Sequence, residues 1–462
     1  MPINPTYFRA DSTIAAQDRF DQHAEDRRDG RNDFAIDRDR VLYSKAFRSL
    51  SDKTQVFLSD EIRDLRTRLT HTLEVNQLGK TIVSSLGCNV DLTEAIALGH
   101  DVGHTPFGHV GERMLSLIMN NCEQLGIEVN NGNRGFKHNL QSLRVLCDLD
   151  EHLNLSKYTL WGIVNHSKLQ YKTCTRIKNI CYTIHHPGQC PHKPAATRGI
   201  LSCDFYDKYL RKIEDKYWTI EGIVVGVADE IAQRHHDIED SIRFHIIDRQ
   251  QLLNSLAPFE PLYNDFLRGL KAELDAAINE PDDIFLSKFS RLIVKSYVMN
   301  LTTETKRLIS EKGDEMGITN HDDFIRQKHL ISVTEAKHLV SFTPEFENAD
   351  KEMQKFLMKN VLNSYSAQTM DGKGAYIIRK LFDAYLSNPT QLSDNAIRNF
   401  YKMANIPIAD IGDMRGKIND YRNTDPRRNI LMRTIADYIG SMTDSYAYDQ
   451  FDMLYGTKIT MR

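Results

Sequence analysis

The 17 histidines of this 462-residue chain are placed unevenly. His100, His104 and His109 fall within one ten-residue stretch, HDVGHTPFGH. His71 lies one predicted helix earlier, and His138 follows in GFKHN. A lone histidine or a single His-Asp dipeptide carries little information; this grouping carries more. His100 and His104 are four apart, so on a helix they share one face. Asp101 follows His100 directly, and adjacent helical residues diverge. Both reach one ion only if the site lies between helices. A second carboxylate, Asp229, sits in the apolar run EGIVVGVADEIAQ. An ionised group facing such a core is costly unless it is paired or metal-bound; otherwise it marks the polar edge of its helix. Two imidazoles and two carboxylates suit Mn²⁺, Fe²⁺ or Zn²⁺, and Mg²⁺ only with several waters kept. Such an ion polarises phosphoryl oxygens and lowers the pKa of a bound water. Histidines beyond it can transfer protons.

Positive charge gathers upstream in Arg48, Lys53, Arg63, Arg66 and Arg68. Arginine forks suit phosphate oxygens. Arg68 is three before His71, so both can face one site; on their own, these residues describe a solvated helix face. Cys174, Cys181, Cys190, His192 and Cys203 are zinc-ligand types, but their spacing is not that of paired zinc knuckles.

The elements that must hold these groups read as helices. Leu65, Leu69, Leu73, Leu78, Ile82 and Leu86 recur at amphipathic steps and stop at Gly87. Asp91 with Glu94 resembles an acidic capping box that opens a short helix, ended by a loop from Gly103 to Gly108. Residues 139–166 and 218–245 are helical in pattern, and 167–217, with Pro187, Pro191 and Pro194, reads as an irregular insertion. Ile377–Leu386 forms one apolar face that stops at Asn388-Pro389, and 429–447 repeats the type. The predicted fold is mainly α. Residues 1–40 read as a charged, solvated arm, 41–250 as the core, and 251–462 as a helical region packing on it. Net charge is −4 and no 18-residue apolar run occurs, so neither a membrane span nor a wholly basic surface is expected. Seven cysteines without a signal peptide point to reduced thiols and the cytoplasm.

The order His71, His100-Asp101, Asp229 resembles the H…HD…D signature of HD phosphohydrolases. The segments FRSLSDKTQVF, RTRLTHTLEV, AIALGHDVGHTPFGHVGE, GFKHNLQSLRVL and DYIGSMTDSYA resemble bacterial dGTPase-type triphosphohydrolases. The resemblance implies an HD-domain helical core. It implies one divalent ion, Mn²⁺ or Mg²⁺ with Fe²⁺, Co²⁺ or Zn²⁺ as alternatives, on His71, His100, Asp101 and Asp229. His109 would transfer protons at the α-phosphate, with Glu112 orienting it. His104, His138 and Arg68 would meet phosphate oxygens, with His104 counted among the catalytic groups. Gln55 would meet sugar or base, and Asp237 the sugar 3′-hydroxyl. The implied reaction releases deoxynucleoside and inorganic triphosphate from a dNTP such as dGTP. A homo-oligomer, often a hexamer, and a nucleotide activator or single-stranded DNA as further partners are implied as well. Two departures stand out: Ser49 in FRSL, and Gln233 where relatives often carry a phosphate-binding Tyr. The alternatives are an HD nucleotidase or phosphodiesterase acting on another nucleotide, and a nucleotide sensor or single-stranded-DNA binder with a vestigial site.

Overall fold

A computed structural model describes residues 3–15, 18–20, 30–54, 67–123, 125, 129, 133, 135–149, 152–167, 204–423 and 426–456. The architecture is all-helical, and among the described residues β pairing is confined to isolated bridges, such as Arg19 with Ser156 and Thr54 with Thr67. The principal helices are α1 (Asp33–Tyr43), α2 (Arg68–Leu86), α3 (Val90–Gly99), α4 (Gly108–Met119), α5 (His138–Arg144), α6 (Lys157–Asn165), α7 (Ile220–Arg243), α8 (Asp282–Met316), α9 (Tyr365–Ser387), α10 (Arg427–Gly440) and α11 (Asp444–Tyr455).

Helices α2, α3, α6 and α7 pack on one another as a central bundle, α1 covers α3, and α5 lies on α6. Their ends are set locally. Thr67 caps α2, Ser156 caps α6 and Thr219 caps α7, each accepting from a backbone N–H of the first turn. Gly87 ends α2 at φ 70°, a left-handed conformation that glycine adopts without strain. The cap of α3 is Asn89, whose side chain accepts from Leu92 N, and not the expected Asp91–Glu94 box. Those carboxylates instead meet Arg38 of α1, at 2.8 and 3.3 Å. Sequence spacing shows which side chains could close a box, but a cross-helix cation competes for them.

The described part of the N-terminal segment is not a solvated arm. Phe8, Phe34 and Ile36 are in the core. Arg19 is buried, 2.9 Å from Asp33 and 2.7 Å from Asp37. Asp37 also accepts from Ser156 N and Thr159 Oγ1, at 2.9 and 2.7 Å, and so clamps the start of α6. Charges that saturate one another can be buried; charge count alone cannot show that they do.

Apolar packing divides the chain differently from a cut at residue 250. One buried cluster runs from Phe8 through α1, α2, α3, α6, α7 and α8 to Ala367. A second joins α4 to α9, α10 and α11. The expected helical stretch 429–447 is broken between Gly440 and Asp444 into α10 and α11. Arg144 bridges the clusters from α5, with Nε 2.8 Å and a terminal nitrogen 2.6 Å from Asp437 of α10. The Cys- and His-bearing part of the insertion, from Cys174 to Cys203, lies outside the described residues.

Between α3 and α4 the chain turns sharply at Gly103. Its N–H donates to Ser142 Oγ at 2.9 Å, and that hydroxyl donates to His100 O at 3.0 Å. A methyl group on Gly103 would overlap backbone atoms of His138, Gln141 and Ser142. Gly103→Ala is therefore expected to destabilise the chain by about 2–3 kcal/mol, because backbone atoms cannot give way as side chains can. Denaturant unfolding measures this, and a wild-type midpoint would refute the close approach.

Candidate active site

Arg68 and His71 share the first turn of α2, and both are buried. His100 and Asp101 follow α3, which ends at Gly99, so His100 and His104 do not share a helix face as their spacing predicts. A turn unites them instead, closed by His104 N–H donating to Asp101 O at 3.0 Å. Asp229 lies midway along α7.

These side chains converge. His71 Nε2 is 3.0 Å from Asp229 Oδ1. His100 Nε2 is 3.5 Å from Asp101 Oδ1 and 3.9 Å from Asp229 Oδ1. Ligand atoms of His71, His100 and Asp101 all lie within 4.8 Å of one another. His100 Nδ1 meets Ala97 O at 2.7 Å, which places the proton there and leaves Nε2 as a lone pair. That buried Nε2 has no hydrogen-bond partner among the described residues. An acceptor nitrogen left bare beside two carboxylates is what a cation site requires. The donor set therefore fits a divalent ion on His71, His100, Asp101 and Asp229.

The electrostatics agree with this geometry. Arg68 donates to Asp101 Oδ2 at 2.6 Å. Burial pushes the Asp101 carboxyl up, but the neighbouring His100 and His104 imidazoles and the charged Arg68 guanidinium outweigh it and hold it well below the carboxylate range. Asp229 is likewise pushed up by burial, and the neighbouring His71 and His100 rings hold it low.

A second group of imidazoles adjoins the first. Ligand nitrogens of His104, His109 and His138 also lie within 4.8 Å of one another. The His104 and His138 rings stack at 4.0 Å, and His109 approaches His104 at 4.9 Å. His104 Nε2 is 3.4 Å from Asp101 Oδ1, which links the two groups. Burial, then the Arg68 charge, holds His104 neutral. His109 is the solvent-exposed member of the group. The protein crowding it, with His138, Arg68 and Lys137 near, lowers its pKa against the pull of Glu112.

Glu112 was expected to orient His109; its charge acts on that ring, and its carboxylate also holds the start of α5. It accepts from Lys137 Nζ at 3.0 Å and from His138 N at 3.1 Å, and it bonds His138 Nδ1. A buried carboxylate thus caps a helix start that lacks a side-chain cap of its own. His138, the first residue of that helix, is positioned by it. Spacing within α4 could not reveal this, because the partner enters from another helix.

The remaining expected residues fall as follows. Asp237 is buried, eight residues beyond Asp229 on α7, with Oδ1 unpartnered among the described residues. Burial raises its pKa to about 7. It is not among the residues drawn into the two imidazole groups. Gln55, like Arg63 and Arg66, lies outside the described residues. Three contributors carry no sequence signature. His166, just past α6, faces His138 with Nε2 atoms 3.4 Å apart. His236 Nδ1 is 3.2 Å from His71 Nδ1. Glu74 hydrogen-bonds the far nitrogen of His236. Only the His235-His236 pair within α7 could have drawn notice.

The loop that carries His109 is anchored from far along the chain. Phe107 adopts φ 60°, and its N–H donates to Asp444 Oδ1 at 2.9 Å. Thr54 N donates to Asp444 Oδ2, also at 2.9 Å. Lys53 Nζ donates to His104 O and, at 3.3 Å, to Gly440 O. The start of α11 therefore fixes both the PFGH loop and the Lys53–Thr54 strand of backbone beside it.

The cluster lies within a domain shared with known proteins. The HD domain matches residues 68–232, which span Arg68 to Asp229, and a phosphohydrolase-associated domain matches 340–406. A deoxyguanosinetriphosphate triphosphohydrolase-like protein of Geobacter metallireducens is 32% identical over 447 residues, covering 96% of this chain and 93% of its own length. Its namesake in Bordetella pertussis is 31% identical over 441 residues, covering 94% and 92%. One from Ralstonia pickettii is 30% identical over 447 residues, covering 96% and 92%. With an HD domain built around this histidine–aspartate cluster and likeness along nearly its whole length, the chain belongs to the family of deoxyguanosinetriphosphate triphosphohydrolase-like proteins.

Proposed function

We propose that this chain hydrolyses deoxynucleoside triphosphates, dGTP among them, to deoxynucleoside and inorganic triphosphate. The observation that carries the reading is the junction at Asp101, where a cation-ready cluster meets a trio of histidines. The HD domain and the name of the relatives support a phosphohydrolase acting on a nucleotide.

His71, His100, Asp101 and Asp229 would hold one divalent ion, Mn²⁺ or Mg²⁺, with Fe²⁺, Co²⁺ or Zn²⁺ as alternatives. When bound, it supplies Lewis acidity to a phosphoryl oxygen and acidifies water. The rest falls to the chain's own side chains. His109, neutral and open to solvent, takes a proton from the attacking water as its oxygen bonds the α-phosphorus. The bond from that phosphorus to the 5′-oxygen breaks, and His109 returns the proton to the leaving oxygen. His138, set by Glu112, and His104, stacked on it, contact phosphate oxygens, and Arg68 adds positive charge behind Asp101. Asp237 and Gln55 would meet the sugar and favour deoxynucleotides. The family resemblance also supports a cytoplasmic homo-oligomer, with a hexamer as the leading expectation, and a nucleotide activator or single-stranded DNA as a further partner. No helix among the described residues is long and apolar enough to cross a membrane.

Three outcomes are expected. Asp101→Ala and Asp229→Ala should both lose the divalent ion when Mn²⁺-loaded protein is dialysed and its metal content measured; wild-type content in both would overturn the ligand set. His109→Ala should keep the ion and bind nucleotide, while kcat falls by about 10²–10⁴-fold. A near-normal kcat would remove His109 from its role. Chromatography after incubation with each common dNTP and NTP should show inorganic triphosphate, with higher kcat/KM for dGTP than for GTP. Orthophosphate or a nucleoside monophosphate would instead mark a nucleotidase or phosphodiesterase.

A further inference from the structure

The two histidines of the cation cluster differ in what holds their second nitrogen. For His100 it is the Ala97 carbonyl, which can only accept. For His71 it is another imidazole: His71 Nδ1 faces His236 Nδ1 at 3.2 Å. Two facing ring nitrogens share one proton, and either ring can own it. Ownership is decided at the far end of His236, where Nε2 is bonded to Glu74 Oε2. A carboxylate accepts, so His236 Nε2 carries a proton. In a neutral His236, Nδ1 is then a lone pair, and the shared proton sits on His71 Nδ1. His71 Nε2, the atom 3.0 Å from Asp229, is left bare and able to ligate.

We propose that Glu74 and His236 are positioning residues that fix His71 in its ion-binding tautomer. The inference rests on the cation-site reading given above. It also settles a competing use of the same side chains. Glu74, His235 and His236 bring ligand atoms within 4.8 Å of one another and could by themselves form a second ion site. An ion on His236 Nε2 would drive the ring proton to Nδ1. His71 Nδ1 would then have to accept, its own proton would move to Nε2, and His71 would cease to be a ligand. The two ions exclude each other through one shared proton. With the HD-domain ion in place, the Glu74 cluster works as a relay. His235 lies beside it, with Nδ1 3.5 Å from Glu74 Oε2 and Nε2 2.5 Å from Ser290 Oγ.

The test uses the full chain and Mn²⁺ titrated by calorimetry, with thermal unfolding followed in parallel. His236→Leu and Glu74→Ala should weaken Mn²⁺ binding about 10–100-fold, the usual range for loss of a ligand's supporting partner. His236→Asn, whose side-chain oxygen can accept where Nδ1 did, should recover most of the affinity, and so should Glu74→Gln, which keeps the acceptor. The Co²⁺-loaded forms should show the same order in their visible spectra. If His236→Leu does not fold, Glu74→Ala, at a side chain 36% exposed, gives the same reading. Wild-type affinity in both Leu and Ala variants overturns the relay, as does equal loss in Leu and Asn. Two Mn²⁺ bound per wild-type chain also overturns it. A wild-type chain that takes up no Mn²⁺ refutes the cation site itself, and the relay with it.

Discussion

Asp101 is only 3% exposed, and a carboxylate so deep in a helical bundle must be neutralised where it stands. Much of the site follows from that requirement. Arg68 must reach it, so α2 has to begin beside the end of α3. His100 and His104 must flank it, so the chain has to turn at once after Gly99 rather than continue as helix. The turn brings Gly103 against α5, and α5 in turn presents His138. Replacing the charge by an apolar group would be easy for the bundle but would remove the group that joins the two sets of histidines.

A similar logic recurs at the borders of the two apolar clusters. Arg144 with Asp437, Lys53 with backbone carbonyls of His104 and Gly440, and Asp444 with two backbone N–H groups are buried polar contacts. Each is satisfied only when both clusters are in place. Apolar packing tolerates sliding, whereas such directed contacts fix one relative position. The imidazole groups lie at that border, with Glu112 and His109 on α4 and the cation cluster on α2, the turn after α3, and α7.

Sequence pattern revealed what is local. The first turn of α2 carries Arg68 and His71 on facing positions because three residues nearly complete a turn. The Gly87 stop and the Asn388-Pro389 stop lie where backbone chemistry demands. Pattern failed where a partner comes from elsewhere in the chain. Charge at Arg19, Asp33 and Asp37 looked like solvent exposure until the residues were seen to neutralise one another. Asp91 and Glu94 looked like a cap until Arg38 claimed them. The bonds of Glu112 to His138, 26 residues on, had no signature either, because that partner enters from another helix. His166, His236 and Glu74 had no periodic neighbour to announce them, since their roles depend on ring nitrogens meeting across helices.

The grip of Asp444 on Phe107 spans 337 residues. During synthesis, the loop that bears His109 leaves the ribosome long before the residue that holds its backbone. At ordinary elongation rates of about 5–20 residues per second, the interval is roughly 20–70 s. In the later part of that interval, once α7 has emerged, the histidine–aspartate cluster can be assembled from α2, the turn after α3 and α7, while the neighbouring loop lacks its anchor. A nascent chain that stalls between the two would have the histidine–aspartate cluster formed and the His109 loop still without its anchor.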